Sequence, residues 1–221
     1  MKVSEALKAR RTIRGYKKDR VPDEILKEIF ELAQHSASNC NTQPWHAAVV
    51  SGEKRDQIEN LMLTEIISGG QPSPGFKPFD KNMEGVYRER QIACAADYYG
   101  TMGISRDDKD ARNALMVQNW QFFGAPHAAF ISMPKWMGEV NAIDVGIYLQ
   151  SLMLLLTEYG LSSCPQGALA YFPKSVYELC EIPEGNAIIV GLSFGYAEDD
   201  AKINTVKMPR AALEDCVSFA G

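Results

Sequence analysis

The sequence predicts an α+β fold, an α/β sandwich in which helices flank a few interior strands. Three runs free of charged side chains, HAAVVSG from His46, HAAFISM from His127 and NAIIVGLSFGY from Asn186, have the apolar, β-branched or aromatic content of buried strands. Between them lie longer stretches whose apolar residues recur at helical spacing, which excludes an all-β architecture. A length of 221 residues suffices for a proper core, so residues 1–221 are expected to form a single domain.

In chain order, a short N-terminal helix ends near Arg10. Pro22, Asp23 and Glu24 open a second helix, and Leu26, Ile29, Phe30 and Ala33 carry its apolar stripe to about Gln34. The polar loop SASNCNTQPW leads into the first strand, and another helical pattern runs from Glu53 to about Ile67. Residues 68–80, SGGQPSPGFKPFD, concentrate glycine and proline and are expected to form a surface loop. Helices near 83–99 and 107–122 precede the second strand. A long helix from about Asp144 to Tyr159 is stopped by Gly160, and one more begins after Pro173, before the last strand.

The formal net charge of -5 excludes a general nucleic-acid binder, which needs an excess of lysine and arginine. Five cysteines, at 40, 94, 164, 180 and 216, are an odd number without CxxC spacing. Together with an opening MKVSEALKARR in place of an apolar leader, they predict a reducing, cytoplasmic setting. The longest apolar run, Val145 to Thr157, contains Gln150 and is bounded by Asp144 and Glu158; it is expected to be a buried core helix, too short and polar to span a bilayer.

Several chemistries can be set aside. Gly191-Leu192-Ser193-Phe194-Gly195 matches the GxSxG of serine hydrolases, but no histidine follows residue 127 and the serine lies in a run that should stay extended. Two glycines at a close backbone approach explain the pattern better. Neither GxGxxG after a strand nor GxxxxGK[ST] occurs, so phosphate capture must rely on side chains. His35, His46 and His127 are isolated, and no metal site is expected.

The arginines call for a partner. RRTIR, residues 10–14, places three guanidiniums where a helix ends. An extended backbone would aim Arg10, Thr12 and Arg14 the same way, and the arginine fork matches a phosphate bidentately. Taken alone, such a cluster is more often a solvated basic patch. Two segments shift the balance: SASNCNTQPW is rich in small donors and carboxamides, and Lys207 with Arg210 returns cationic charge late in the chain.

RRTIR, a helix, and then Ser38, Asn41, Gln43, Pro44 and Trp45 at their spacing resemble the N-terminal signature of the FMN-dependent nitroreductase family. The resemblance continues through Asn119 ahead of GAPH, through GLSSCPQGALA and through VGLSFGYAEDDAKINTVKMPR, covering nearly the whole chain. Within that family the tail resembles the branch that reduces nitroaromatic compounds. The resemblance implies a central mixed, mainly antiparallel sheet flanked by helices, a homodimer, and a C-terminal extension that reaches the partner subunit.

Carried over, the family pattern makes Arg10 and Thr12 phosphate ligands, with Arg11 acting mainly through its backbone and Arg210 closing on the same phosphate. The resemblance also makes Lys207 a cofactor-binding candidate, at a spacing to Arg210 wider than in relatives. The resemblance puts Arg14 near the flavin pyrimidine edge and Asn119 in hydrogen bonding to that ring. Ser38, Asn39 and Cys40 would approach from the other subunit, with Asn41 and Gln43 in contact or bracing the loop. Pro165, Gln166 and Gly167 fall where the family covers the flavin and offers a backbone N–H to N5. Many relatives carry a glutamate where this chain has Gln166, whose side chain is free to lie over the flavin or to point away. Implied activity is ping-pong hydride transfer from NADH or NADPH through FMN to a nitroaromatic acceptor, with no protein nucleophile. Quinone, enone or free-flavin reduction is the alternative enzyme reading, and a non-catalytic flavin-binding or redox-sensing protein the alternative of another class. Aromatics between 68 and 123 (Phe76, Phe79, Tyr87, Tyr98, Tyr99, Trp120, Phe122, Phe123) include candidates for an apolar substrate cover, although most are expected in the core.

Overall fold

A computed structural model of the chain describes residues 1–77 and 83–221. Phe79, and the end of the expected 68–80 loop, fall outside the described residues. Helices α1 (Val3–Ala9) and α2 (Asp23–Ala33) precede strand β1 (His46–Ser51) and α3 (Gly52–Ile67). Then come α4 (Gly85–Met102), α5 (Lys109–Val117), β2 (His127–Pro134), α6 (Glu139–Glu158), β3 (Ser162–Gln166), α7 (Lys174–Leu179) and β4 (Asn186–Gly195). The tail beyond has only single 3-10 turns, at Lys202–Thr205 and Leu213–Asp215.

The strands lie in the order β1-β2-β4-β3, and each neighbouring pair is antiparallel. Parallel pairing enters at the outer side of β3, where Thr12 bridges Ser163 and the Ile13 N–H donates to the Ser163 carbonyl at 3.1 Å. The N-terminal segment therefore extends the sheet.

Alternation along β2 divides the core. Ala128 and Phe130 face a layer with Ile58 and Met62 of α3, Trp120, Leu169 and Val176. Ala129, Ile131 and Met133 face the opposite layer, where Leu26 and Ile29 of α2 meet Val145, Tyr148, Leu152 and Leu156 of α6. These two helical layers make the expected sandwich.

Three boundaries differ from the sequence reading. β3 was not expected as a strand: Ser-Ser-Cys-Pro-Gln lacks β-branched residues, and Pro165 is tolerated because β3 lies beyond β4 at the side of the sheet. The helix expected over 107–122 ends at Val117, since Phe122 and Phe123 turn into the left-handed region at φ 53° and 52°. The long helix starts at Glu139, five residues before Asp144. At 20 residues with a mean hydropathy of 1.5 over its most apolar stretch, it is long and apolar enough to cross a membrane, so the expectation based on its length does not hold. Its packing of Val145, Tyr148, Leu152 and Leu156 against the sheet is what makes it a core helix.

Both glycines of GLSFG are required by proximity. A Cβ at Gly191 would lie 2.3 Å from Leu169 Cδ1, and one at Gly195 2.7 Å from Pro126 Cδ. Ser193 between them is extended within β4 and fully buried, so it is no exposed nucleophile.

Candidate functional site

The α1 C-terminus, the extended Arg10–Arg14 segment, α4 and the Val206–Arg210 segment enclose a cavity of about 860 Å³. Its lining brings Arg10, Arg11, Thr12, Arg14, Lys207 and Arg210 together, along with Lys8. Six cations converge from segments nearly two hundred residues apart, and among the described residues no aspartate or glutamate lines the cavity. Among the described residues, none of the six forms an ion pair. Burial lowers the pKa of Arg10, and repulsion from Arg210 lowers it further. Two guanidiniums held against their mutual repulsion, without a carboxylate, form a site that an anion relieves.

The local chain explains this convergence. Pairing with β3 keeps residues 12–14 extended, and Asn204 fastens the tail to them. Its Oδ1 accepts from the Arg14 N–H at 2.9 Å, its amide nitrogen donates to the Gly15 carbonyl at 2.9 Å, and its own carbonyl accepts from the Arg11 guanidinium at 3.3 Å. Asn204 is a supporting residue that the sequence reading missed; nothing in INTVK distinguishes it from a loop asparagine. Arg210 folds over its own segment, donating to the Met208 and Pro209 carbonyls at 3.0 and 3.1 Å.

Arg14 lies deeper. Its guanidinium carbon is 4.7 Å from the Tyr98 ring centre and 5.7 Å from that of Phe123. Such a stack fixes the plane of the fork. Burial pushes the Tyr98 hydroxyl up to about 12 and the Cys164 thiol up to about 11, with Arg14 opposing both. Both groups are therefore neutral near pH 7, and neither gives Arg14 a counter-charge.

Asn119, Pro165, Gln166 and Gly167 do not line this cavity. Pro165 and Gln166 lie two and three residues beyond Ser163 on β3, Gly167 follows the strand, and Asn119 joins them from the turn after α5 through Gln166. Gln166 is only 3% exposed. Its side chain points inward, donating to the Asn119 carbonyl at 2.8 Å and to its Oδ1 at 3.3 Å, and accepting from the buried Ser193 hydroxyl. The amide therefore does not lie over the open face, and it has a donor and an acceptor partner that a carboxylate could not match together. The Asn119 amide nitrogen donates to the Met116 carbonyl at 2.9 Å.

Ser38, Asn39, Cys40, Asn41 and Gln43 stand apart from the cavity, against the N-terminal half of α6. The Asn39 N–H donates to the buried Asp144 carboxylate at 3.0 Å, and Ser38 Oγ accepts from the Gln43 N–H at 3.0 Å. Cys40, Asn41 and Gln43 all have positive φ. This is a built loop with no function evident inside its own chain. Of the aromatics, Tyr98 and Tyr99 line the cavity, Trp120, Phe122 and Phe123 are core, Phe76 packs beside the α2–α6 layer, and Tyr87 is exposed.

Fold and site together define a class: an antiparallel α+β sandwich with a cation-lined cavity at the outer edge of its sheet. The chain belongs to the nitroreductase family, whose model matches residues 7–196. It is 37% identical to nitroreductase NfnB of Mycolicibacterium smegmatis over 97% of this chain and 91% of that protein. It is also 30% identical to a 4-nitrobenzoate reductase of Pseudomonas putida, over 96% and 93%. The crystal structure of the FMN-dependent nitroreductase NfnB from Mycobacterium smegmatis in complex with NADPH superposes with a TM-score of 0.94 at 36% identity, covering 99% and 98% of the two chains.

Proposed function

We propose that the protein is an FMN-dependent NAD(P)H oxidoreductase that reduces nitroaromatic compounds or related electrophiles such as quinones. The single observation that supports this most is the cavity in which, among the described residues, six cations meet no carboxylate. This donor set suits the terminal phosphate of FMN: Arg10, Arg210 and Lys207 provide charge, and Thr12 a hydroxyl. The relatives described above act on nitroaromatic substrates or depend on FMN.

Bound FMN supplies hydride acceptance and donation at N5, alternately with NAD(P)H and with the acceptor, which gives ping-pong kinetics. The chain's own part is binding and electrostatics. Arg14, clamped between Tyr98 and Phe123, offers fixed positive charge to the pyrimidine edge, where negative charge gathers on reduction. Gln166, turned inward, braces the Asn119 turn and leaves the backbone of Gly167 to face the cofactor. No protein nucleophile takes part.

The site is completed by a second copy. Val140, Ile143 and Ile147 form an exposed apolar stripe on α6, and Ile143 is 63% exposed. The strained Ser38–Gln43 loop lies beside that helix. Association along α6 would carry the loop to the partner's cavity, while the tail beyond Thr205, with Leu213 and Phe219 exposed, extends over the partner. Residues 1–221 act as one FMN-binding domain in a cytoplasmic homodimer.

The test is the visible spectrum of freshly purified protein, followed by anaerobic bleaching with NADPH and recolouring by a nitroaromatic. A yellow protein that bleaches and recolours supports the reading. Colourless protein that refuses added FMN refutes it, and bleaching without recolouring by any acceptor favours a non-catalytic flavoprotein.

A further inference from the structure

The turn between α5 and β2 adopts a conformation that bulky residues avoid. Phe122, Phe123 and Gly124 have successive φ angles of 53°, 52° and 74°. Consecutive aromatics in the left-handed region persist only where surrounding contacts over-determine them.

Besides the turn's own backbone hydrogen bonds and the packing of Phe122 on Phe130, two cations hold it. Arg55, in the first turn of α3, donates from Nη2 to the Gln121 carbonyl at 2.9 Å, and its guanidinium carbon lies 5.0 Å from the Phe122 ring centre. Asp56 and Glu59 each pair with the same guanidinium at 2.6 Å. Lys18 Nζ donates to the Gly124 carbonyl at 3.1 Å. Neither cation lines the candidate cavity. The other side of the turn does face the site: Phe123 stacks on Arg14, and the Asn119 carbonyl holds Gln166.

We infer that Arg55 is a positioning residue for the redox centre: by gripping Gln121 and Phe122 it fixes the left-handed turn that sets the places of Arg14 and Gln166. This rests on the proposed FMN chemistry. Arg55 touches neither cofactor nor substrate in that reading and acts only through the turn. Its fork donates to the Asp56 carboxylate and the Gln121 carbonyl while lying within ion-pair distance of Glu59, whereas a lysine, a single point charge, cannot reach the same three acceptors in one plane.

The experiment uses full-length, FMN-loaded protein and follows anaerobic reduction by NADPH, the FMN dissociation constant and the flavin absorption bands. For Arg55→Met the expected result is hydride uptake slowed about tenfold and shifted flavin bands, with FMN affinity within about threefold of the parent, since small misplacement of a remote group registers in rate before binding. Arg55→Lys should recover part of the rate. Unchanged rate and bands in Arg55→Met overturn the inference, as does a rate loss matched by an equal loss of FMN affinity. If Arg55→Met fails to fold, Glu59→Gln is read instead: slowing of about threefold with FMN retained supports the role, and an unchanged rate overturns it. A parent protein that takes up no FMN, or is not bleached by NADPH, overturns the proposed function itself and is recognised before any variant is made.

Discussion

Arg14 and Arg210 carry the same guanidinium into different surroundings. Arg210 is exposed, folded on its own backbone and opposed to Arg10, whereas the half-buried Arg14 lies against the rings of Tyr98 and Phe123. Arg14→Ala is therefore expected to slow hydride acceptance about tenfold or more while FMN retention changes little, and Arg210→Ala to loosen FMN with a smaller effect on the rate of bound flavin; stopped-flow reduction and FMN titration of both variants check this. His127 ties stability to pH. It is fully buried, stacked on Phe194, with Nε2 accepting from the Val21 N–H at 2.9 Å and Nδ1 at Ser51 Oγ. Burial pulls its pKa down to about 4, with Arg20 adding to the shift and Asp23 opposing it. The unfolded chain takes up this proton near the ordinary value of about 6.5, before the folded protein does. Stability is thus complete above that value and declines as pH falls through about 4, by about 3 kcal/mol at most. Urea denaturation across pH should show the decline, and His127→Gln should flatten its slope whatever its absolute stability.

At the level of elements, β4 depends on glycine for its fit beneath the Gly167–Ala170 turn. Gly191→Ala would drive a methyl into Leu169 and is expected to destabilise the protein by about 1–3 kcal/mol, measurable by chemical denaturation. That close approach was legible as a GxSxG run unsuited to a nucleophile, and β1, β2 and β4 were legible because their apolar residues have no other explanation. β3 was hidden: SSCPQ carries no strand signal of its own and is held by pairing with β4 and the Thr12 bridge. The end of α5 was equally silent, since Phe122 and Phe123 are not turn residues and their conformation is held by core packing and by contacts from Arg55 and Lys18 elsewhere in the chain. The site divides in the same way. Arginines near a helix end, with no acids nearby, announce an anion, whereas the inward rotamer of Gln166 and the clasp of Asn204 are settled only by tertiary packing.

Across the whole molecule, the cavity and the Ser38–Gln43 loop lie apart within one chain, and the proposed homodimer would bring them together. Ile143→Glu, a charge in the exposed stripe of α6, is expected to give monomers in sedimentation velocity and to weaken FMN binding about tenfold or more, since central interface residues carry most of an association energy. Dimers with unaltered FMN affinity would separate the loop from the cofactor. α4 spans 18 residues with none of them buried, yet Gln91, Cys94, Ala95, Tyr98 and Tyr99 form a wall of the cavity. A wall so thinly packed is the first part of the fold to open, and a ligand seated against it holds it shut by mass action. Deuterium uptake of the Gly85–Met102 amides should therefore be rapid in ligand-free protein and retarded on adding FMN, making this helix an occupancy gauge read directly by mass spectrometry.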